Sequence, residues 1–233
     1  MTQEKNSNLS TLRLITYIMI SIIVFAIGFY LIESTGLDQK ITLKLYQPNQ
    51  KVYVLLVLFA EIGKYLPPFL ILSFFLYSIK KAQYRRESIY LMSVLVFATA
   101  LLINAVLKPT FTRPRPEYCQ EFNPQAELQF IHAFGATEII DSSSFPSGHT
   151  GSAFSLLAIF FVLLKRNSPK RHLALALLCL FGFSVGATRI IQGRHFLSDI
   201  LGSFASLWLS CLVLYPILTQ KTKANSALTK SSN

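Results

Sequence analysis

Charge is what this sequence has least of. Only 14% of its 233 residues are Asp, Glu, Lys or Arg, where a soluble globular domain carries about a quarter. That shortage argues against an ordinary water-facing surface. Acid is scarcer still, with 11 Asp and Glu against 22 Lys and Arg and a formal net charge of +11. In a soluble chain such a balance points to nucleic acid. Here it points to basic loops that set membrane topology and to a cationic site for an anion. Cysteine is limited to three residues. Cys179 and Cys211 lie in apolar runs and only Cys119 lies in a polar stretch, so neither a disulfide framework nor a zinc spacing is present.

Hydrophobic residues make up 52% of the chain, 19 of them Phe. They gather into six runs, approximately Leu14–Ile32, Val52–Ile79, Ser88–Leu107, Thr150–Leu164, Leu173–Ile191 and Asp199–Leu218. A membrane crossing takes about 20 residues. The fourth run is short, and gains length if its helix starts near Pro146, since proline is tolerated at a helix N-terminus. The expected fold class is all-α, a six-span transmembrane helix bundle with a long outer loop between spans 3 and 4.

The first run is too long for a signal-peptide core and has no A-x-A site, so it is expected to be retained. Residues 1–13 read as a cytoplasmic N-terminal segment, 14–219 as the membrane domain, and 220–233 as a disordered cytoplasmic tail. Lys80, Lys81, Arg85, Arg86, Lys165, Arg166, Lys170 and Arg171 fall on the same side as both termini, and basic residues are fewer on the other side. By the positive-inside rule both termini are cytoplasmic. The second run holds Glu61, Lys64, Pro67 and Pro68. Glu61 and Lys64 can pair on one helix face, or one of them can serve a polar site. A break near Pro67 is the alternative.

Three polar clusters fall at the outer ends of spans: Lys108–Pro116 (KPTFTRPRP), Pro146–His149 (PSGH) and Thr188–Asp199 (TRIIQGRHFLSD). Lys108, Arg115 and Arg189 supply three cations from three places, as a phosphate with charge spread over its oxygens requires. Arg offers a planar fork and Lys a point charge. Ser147 and Gly148 add a hydroxyl and a close backbone approach. His195 and Asp199, four apart, form an activated-nucleophile pair if a helix starts near His195. His149 can protonate the leaving oxygen and then activate water. On this reading activity falls at high pH as His149 loses its proton. His132 reads as a surface residue, and His172 falls on the opposite side. Three cations beside one carboxylate would repel a divalent ion, so no metal or other cofactor is expected.

Lys108-x6-Arg115-Pro116, Pro146-Ser147-Gly148-His149 and Arg189-x5-His195-x3-Asp199 together resemble the three-part signature of the type 2 phosphatidic acid phosphatase superfamily. The one departure is Thr188, where Ser commonly precedes the arginine. The resemblance implies a six-helix bundle with an outward-facing site in a bacterial-type inner membrane. It also implies a phosphohistidine intermediate at His195, assisted by Asp199 and His149, with Lys108, Arg115, Ser147, Gly148 and Arg189 holding phosphate. Candidate substrates by the same resemblance are undecaprenyl diphosphate, phosphatidylglycerol phosphate and lipid A phosphates. Rival readings are a lipid phosphotransferase using the same residues and a non-catalytic lipid transporter. Arg113 and Arg194 lie outside the signature and are left to a larger head group or to water.

Overall fold

The computed structural model describes residues 2–48, 54–137, 143–162 and 170–219. The tail from residue 220, expected to be disordered, lies outside them. All regular elements among the described residues are helical, apart from one isolated parallel bridge between Cys119 and Leu128.

Helix α1 (Thr2–Thr35) contributes the apolar stretch Thr11–Thr35. It stops at Gly36, whose φ of 65° is left-handed and costs a glycine nothing. The chain turns there into the short α2 (Leu37–Leu45), which buries Asp38 and Thr42. Helix α3 (Val54–Lys80) runs unbroken through Pro67 and Pro68. The third span begins as α4 (Arg85–Val94) and widens into a π-helical run, Leu95–Leu107. It closes with the single turn α5 (Lys108–Thr110). Helices α8 (Lys170–Ile191) and α9 (Leu197–Thr219) complete the bundle.

Among the described residues, five helices are long and apolar enough to cross a membrane: Thr11–Thr35, Val54–Lys80, Ala82–Thr110, Lys170–Ile191 and Leu197–Leu218. The fourth expected span is shorter. It divides into α6 (Gly148–Phe154) and α7 (Leu157–Val162), and residues 163–169 are not described. At the break the Ser155 hydroxyl donates to the Ser152 carbonyl at 2.6 Å. A side chain that takes up a backbone acceptor in this way loosens the helical ladder.

Helix α6 sits inside the bundle, packed against α3, α8 and α9. Its Phe154 is fully buried, in a core with Ile103, Leu157, Ile190, Ile200 and Leu207. The outer faces are apolar too, with Leu55, Phe69, Leu173 and Ile217 exposed. Exposed residues of this kind suit contact with lipid rather than water.

Candidate active site

The site forms where four chain segments end at one level of the bundle. Lys108 arrives at the end of the third span, Ser147 to His149 open α6, Arg189 closes α8, and His195 leads into α9. Hydrogen bonds to main-chain carbonyls join these segments. The Ser147 N–H donates to the Asp199 carbonyl at 3.2 Å, and the Ser203 hydroxyl donates to the Ser147 carbonyl at 2.8 Å. Ser147 caps α6, its hydroxyl accepting from the Thr150 N–H at 3.3 Å. A Cβ on Gly148 would lie 3.2 Å from Asn104 Oδ1 and 3.7 Å from Lys108 Nζ. Glycine at this position lets the α6 backbone come up against the Lys108 ammonium.

His195 is 2% exposed and Asp199 is fully buried. The imidazole Nδ1 faces Asp199 Oδ2 at 3.3 Å. The same carboxylate oxygen accepts from the Phe196 N–H at 2.8 Å. With the Nδ1 proton directed at the carboxylate, the lone pair is left on Nε2. Burial pushes the His195 ring down to about 4, against the opposing pull of Asp199; Arg189 and Lys108 push the same way as burial. The ring is therefore neutral at neutral pH, the state a nucleophile needs. The geometry corrects one expectation. The pair does not share a helix face, because α9 begins at Leu197 and His195 precedes it by two residues. Gly193, with φ of 67°, makes the turn that delivers it.

Three cations converge beside this pair. Lys108 lies within electrostatic reach of Arg115, Arg189 and Asp199. Arg115 and Arg189 also act on each other. Burial, and then Arg194, hold the Arg115 guanidinium below its ordinary value. Glu117 and Glu61 offset part of this charge. The Nε atoms of Arg115 and Arg189 are buried with no hydrogen-bond partner among the described residues. Burying unpaired donors is costly, and an anion with several acceptor oxygens would satisfy them.

His149 stands at the opening of α6 with Nε2 3.1 Å from Glu61 Oε1, and Glu61 in turn lies 3.9 Å from Lys64 Nζ. Glu61 therefore belongs both to its local ion pair and to the site. Arg194 is partly exposed and pairs with Glu117 at 2.5 Å. His132, expected at the surface, is exposed beside Glu33 at 3.6 Å.

Arg113 departs from expectation. It is fully buried, so it meets neither water nor a head group. Its guanidinium lies over the Phe196 ring at 4.0 Å and donates to Asp199 Oδ1 at 2.6 Å and Asp38 Oδ2 at 2.8 Å. An arginine stays buried only with its charge paired in this way. Its position two residues before Arg115 put it at the site's edge in the sequence, but nothing there indicated which way it turns.

The model of the PAP2 superfamily matches residues 89–223, more than half of the chain, including all three polar clusters. The chain belongs to the PAP2 superfamily. Within it, the chain is 29% identical over 142 residues to the lipid A 4'-phosphatase of Francisella tularensis subsp. novicida (strain U112), covering 60% of this chain and 62% of that protein. It is 30% identical over 126 residues to phosphatidylglycerophosphatase B of Bacillus subtilis (strain 168), covering 52% and 54%. The aligned parts thus span less than two thirds of either relative. The crystal structure of a transmembrane PAP2 type phosphatidylglycerolphosphate phosphatase from Bacillus subtilis superposes with a TM-score of 0.57 at 22% identity. It covers 85% of this chain and 93% of that one, a likeness of fold.

Proposed function

We propose that this PAP2 protein is a metal-independent membrane phosphatase that hydrolyses a phosphate monoester or diphosphate of a cell-envelope lipid through a phosphohistidine intermediate. The observation that carries the proposal is the gathering of Lys108, Arg115 and Arg189 around a buried neutral imidazole whose Nδ1 faces the Asp199 carboxylate. Lipid A 4'-phosphatase and phosphatidylglycerophosphatase B among its relatives support a phosphorylated envelope lipid as substrate. Undecaprenyl diphosphate is a third candidate.

The three cations hold the phosphoryl oxygens, assisted by the region of Ser147 and Gly148. His195 Nε2 donates its lone pair to phosphorus as the bond to the lipid oxygen breaks. That oxygen leaves with the bonding electrons and takes a proton from His149. In the second step water attacks phosphorus and gives a proton to the now neutral His149. The P–N electrons return to His195 and inorganic phosphate departs. The excess of basic residues on the loops that share a side with the termini supports cytoplasmic termini and a site at the outer face of the inner membrane.

The test is phosphate release from a panel of purified lipid phosphates by wild type and His195→Ala. Release by wild type alone, with an acid-labile phosphoenzyme, is expected. Equal release by both proteins overturns the assignment. Adding an acceptor lipid separates hydrolysis, which leaves free phosphate, from transfer, which does not.

A further inference from the structure

Arg113, Asp38, Ser198 and Asp199 form a closed buried network behind the His195 ring. Arg113 Nε donates to the Ile131 carbonyl at 2.7 Å. Its Nη1 donates to Ser198 Oγ at 2.7 Å and Asp199 Oδ1 at 2.6 Å, and its Nη2 to Asp38 Oδ2 at 2.8 Å. The Ser198 N–H donates to Asp38 Oδ1 at 2.8 Å. Phe130 and Phe196 cover the guanidinium at 5.3 Å and 4.0 Å. The side chains of Arg113 and Asp199 are 0% exposed and that of Asp38 is 6% exposed.

Two consequences follow from this wiring. With Oδ1 held by Arg113, the Asp199 carboxylate cannot rotate, and Oδ2 stays aimed at His195. The second consequence concerns charge. Arg113 alone would cancel Asp199, leaving the ring beside a neutral pair. Asp38 restores one net negative charge to the cluster. When Nε2 bonds to phosphorus while Nδ1 keeps its proton, the ring becomes a phosphoimidazolium and carries positive charge. In a site this dry, charge balance acts strongly.

We propose that Arg113 and Asp38 are positioning residues for the histidine nucleophile, Arg113 fixing Asp199 and Asp38 supplying the excess negative charge that balances the phosphoimidazolium. Helix α2, between the first two spans, thereby becomes part of the catalytic apparatus. The proposal rests on the phosphohistidine reading above.

The experiment compares purified full-length wild type, Asp38→Asn and His195→Ala on one lipid phosphate that wild type hydrolyses. Each protein is checked for monodispersity, and acid-labile phosphoenzyme is trapped by rapid quench. Asp38→Asn keeps the shape and removes the charge. Its kcat and rate of phosphoenzyme formation are expected to fall at least about fivefold with KM within about threefold, in line with loss of a support to a reacting group. A smaller loss per folded molecule, or a loss confined to KM or to folded yield, overturns the proposal. Should Asp38→Asn not fold, Arg113→Lys carries the same test. It keeps the charge but cannot reach Ile131, Asp38 and Asp199 together, and wild-type kcat in it overturns the proposal. Failure of the underlying reading looks different: no acid-labile phosphoenzyme in wild type, or activity retained in His195→Ala.

Discussion

Glu61 and His149 are 88 residues apart in sequence, yet the Glu61 carboxylate lies 3.1 Å from the imidazole Nε2. The contact joins the first third of α3 to the opening of α6. Burial, with Arg189 and Lys64 acting the same way, pushes the His149 ring down to about 4, and Glu61 is the anion that opposes them and favours the protonated ring. Replacing Glu61 with Gln removes that support. The expected result is a fall in kcat of roughly tenfold, as for a weakened general acid. The basic limb of the pH–rate profile should move to lower pH, because the ring then loses its proton earlier. Initial rates from pH 3.5 to 9 for wild type and Glu61→Gln check this, and an unshifted limb counts against a link between Glu61 and the leaving-group proton.

His195 gives a second pH prediction. Its ring is pushed down to about 4 by burial, against an ordinary value of about 6.5. The proposed nucleophile therefore remains unprotonated well into the acid range, and the acid limb of kcat/KM is expected below pH 5 rather than near 6.5. Stability runs in step. Between about 4 and 6.5 the unfolded chain binds the proton and the folded chain does not, so this residue's contribution, full above that window, is lost as pH falls through it. Thermal unfolding in detergent at pH 7.5, 6 and 5 should show a decreasing Tm, and His195→Ala should flatten this dependence.

The sequence and structure agree best where chemistry requires fixed spacing. Lys108, Arg115, Arg189, His149, His195 and Asp199 could be picked out because charged residues are few in this chain and these stand at the ends of apolar runs. Glu61 was visible for the same reason, as an acid within an apolar helix. Asp38 was not. It lies 75 residues from Arg113, in a nine-residue helix between spans, and no periodicity links the two. Arg113 itself was misassigned because a basic residue near a membrane surface reads as solvated unless its partners are known. The fourth span was drawn from hydropathy alone. The Ser155 hydroxyl, which takes up the Ser152 carbonyl at the break, carries no hydropathic signal.

Phosphoryl transfer at a site built from three cations and an imidazole needs no divalent ion in the mechanism proposed above. Hydrolysis is expected to be unchanged in millimolar EDTA, within about twofold by phosphate release. Vanadate adopts the five-coordinate geometry of phosphorus under attack. It should inhibit competitively, and far more weakly in His195→Ala, where the nucleophile that would ligate it is gone. Loss of activity on chelation, restored by a metal, would remove this mechanism.

Glu117 is shared between two arginines, 2.5 Å from Arg194 Nη1 and 3.8 Å from Arg115 Nη1. Its backbone is fixed, with the N–H donating to the Gly193 carbonyl at 3.0 Å, so only the carboxylate can choose. Arg194 engages that carboxylate and leaves Arg115 freer for a phosphate. In Arg194→Met the carboxylate is expected to turn to Arg115 and compete with substrate. KM should then rise about threefold to tenfold with kcat within about twofold, the pattern of weakened ground-state binding. Adding Glu117→Gln removes the competitor and should return KM to near the wild-type value. If Arg194→Met leaves KM unchanged, the pair is a solvent-exposed contact worth little, and Arg115 holds its position without it.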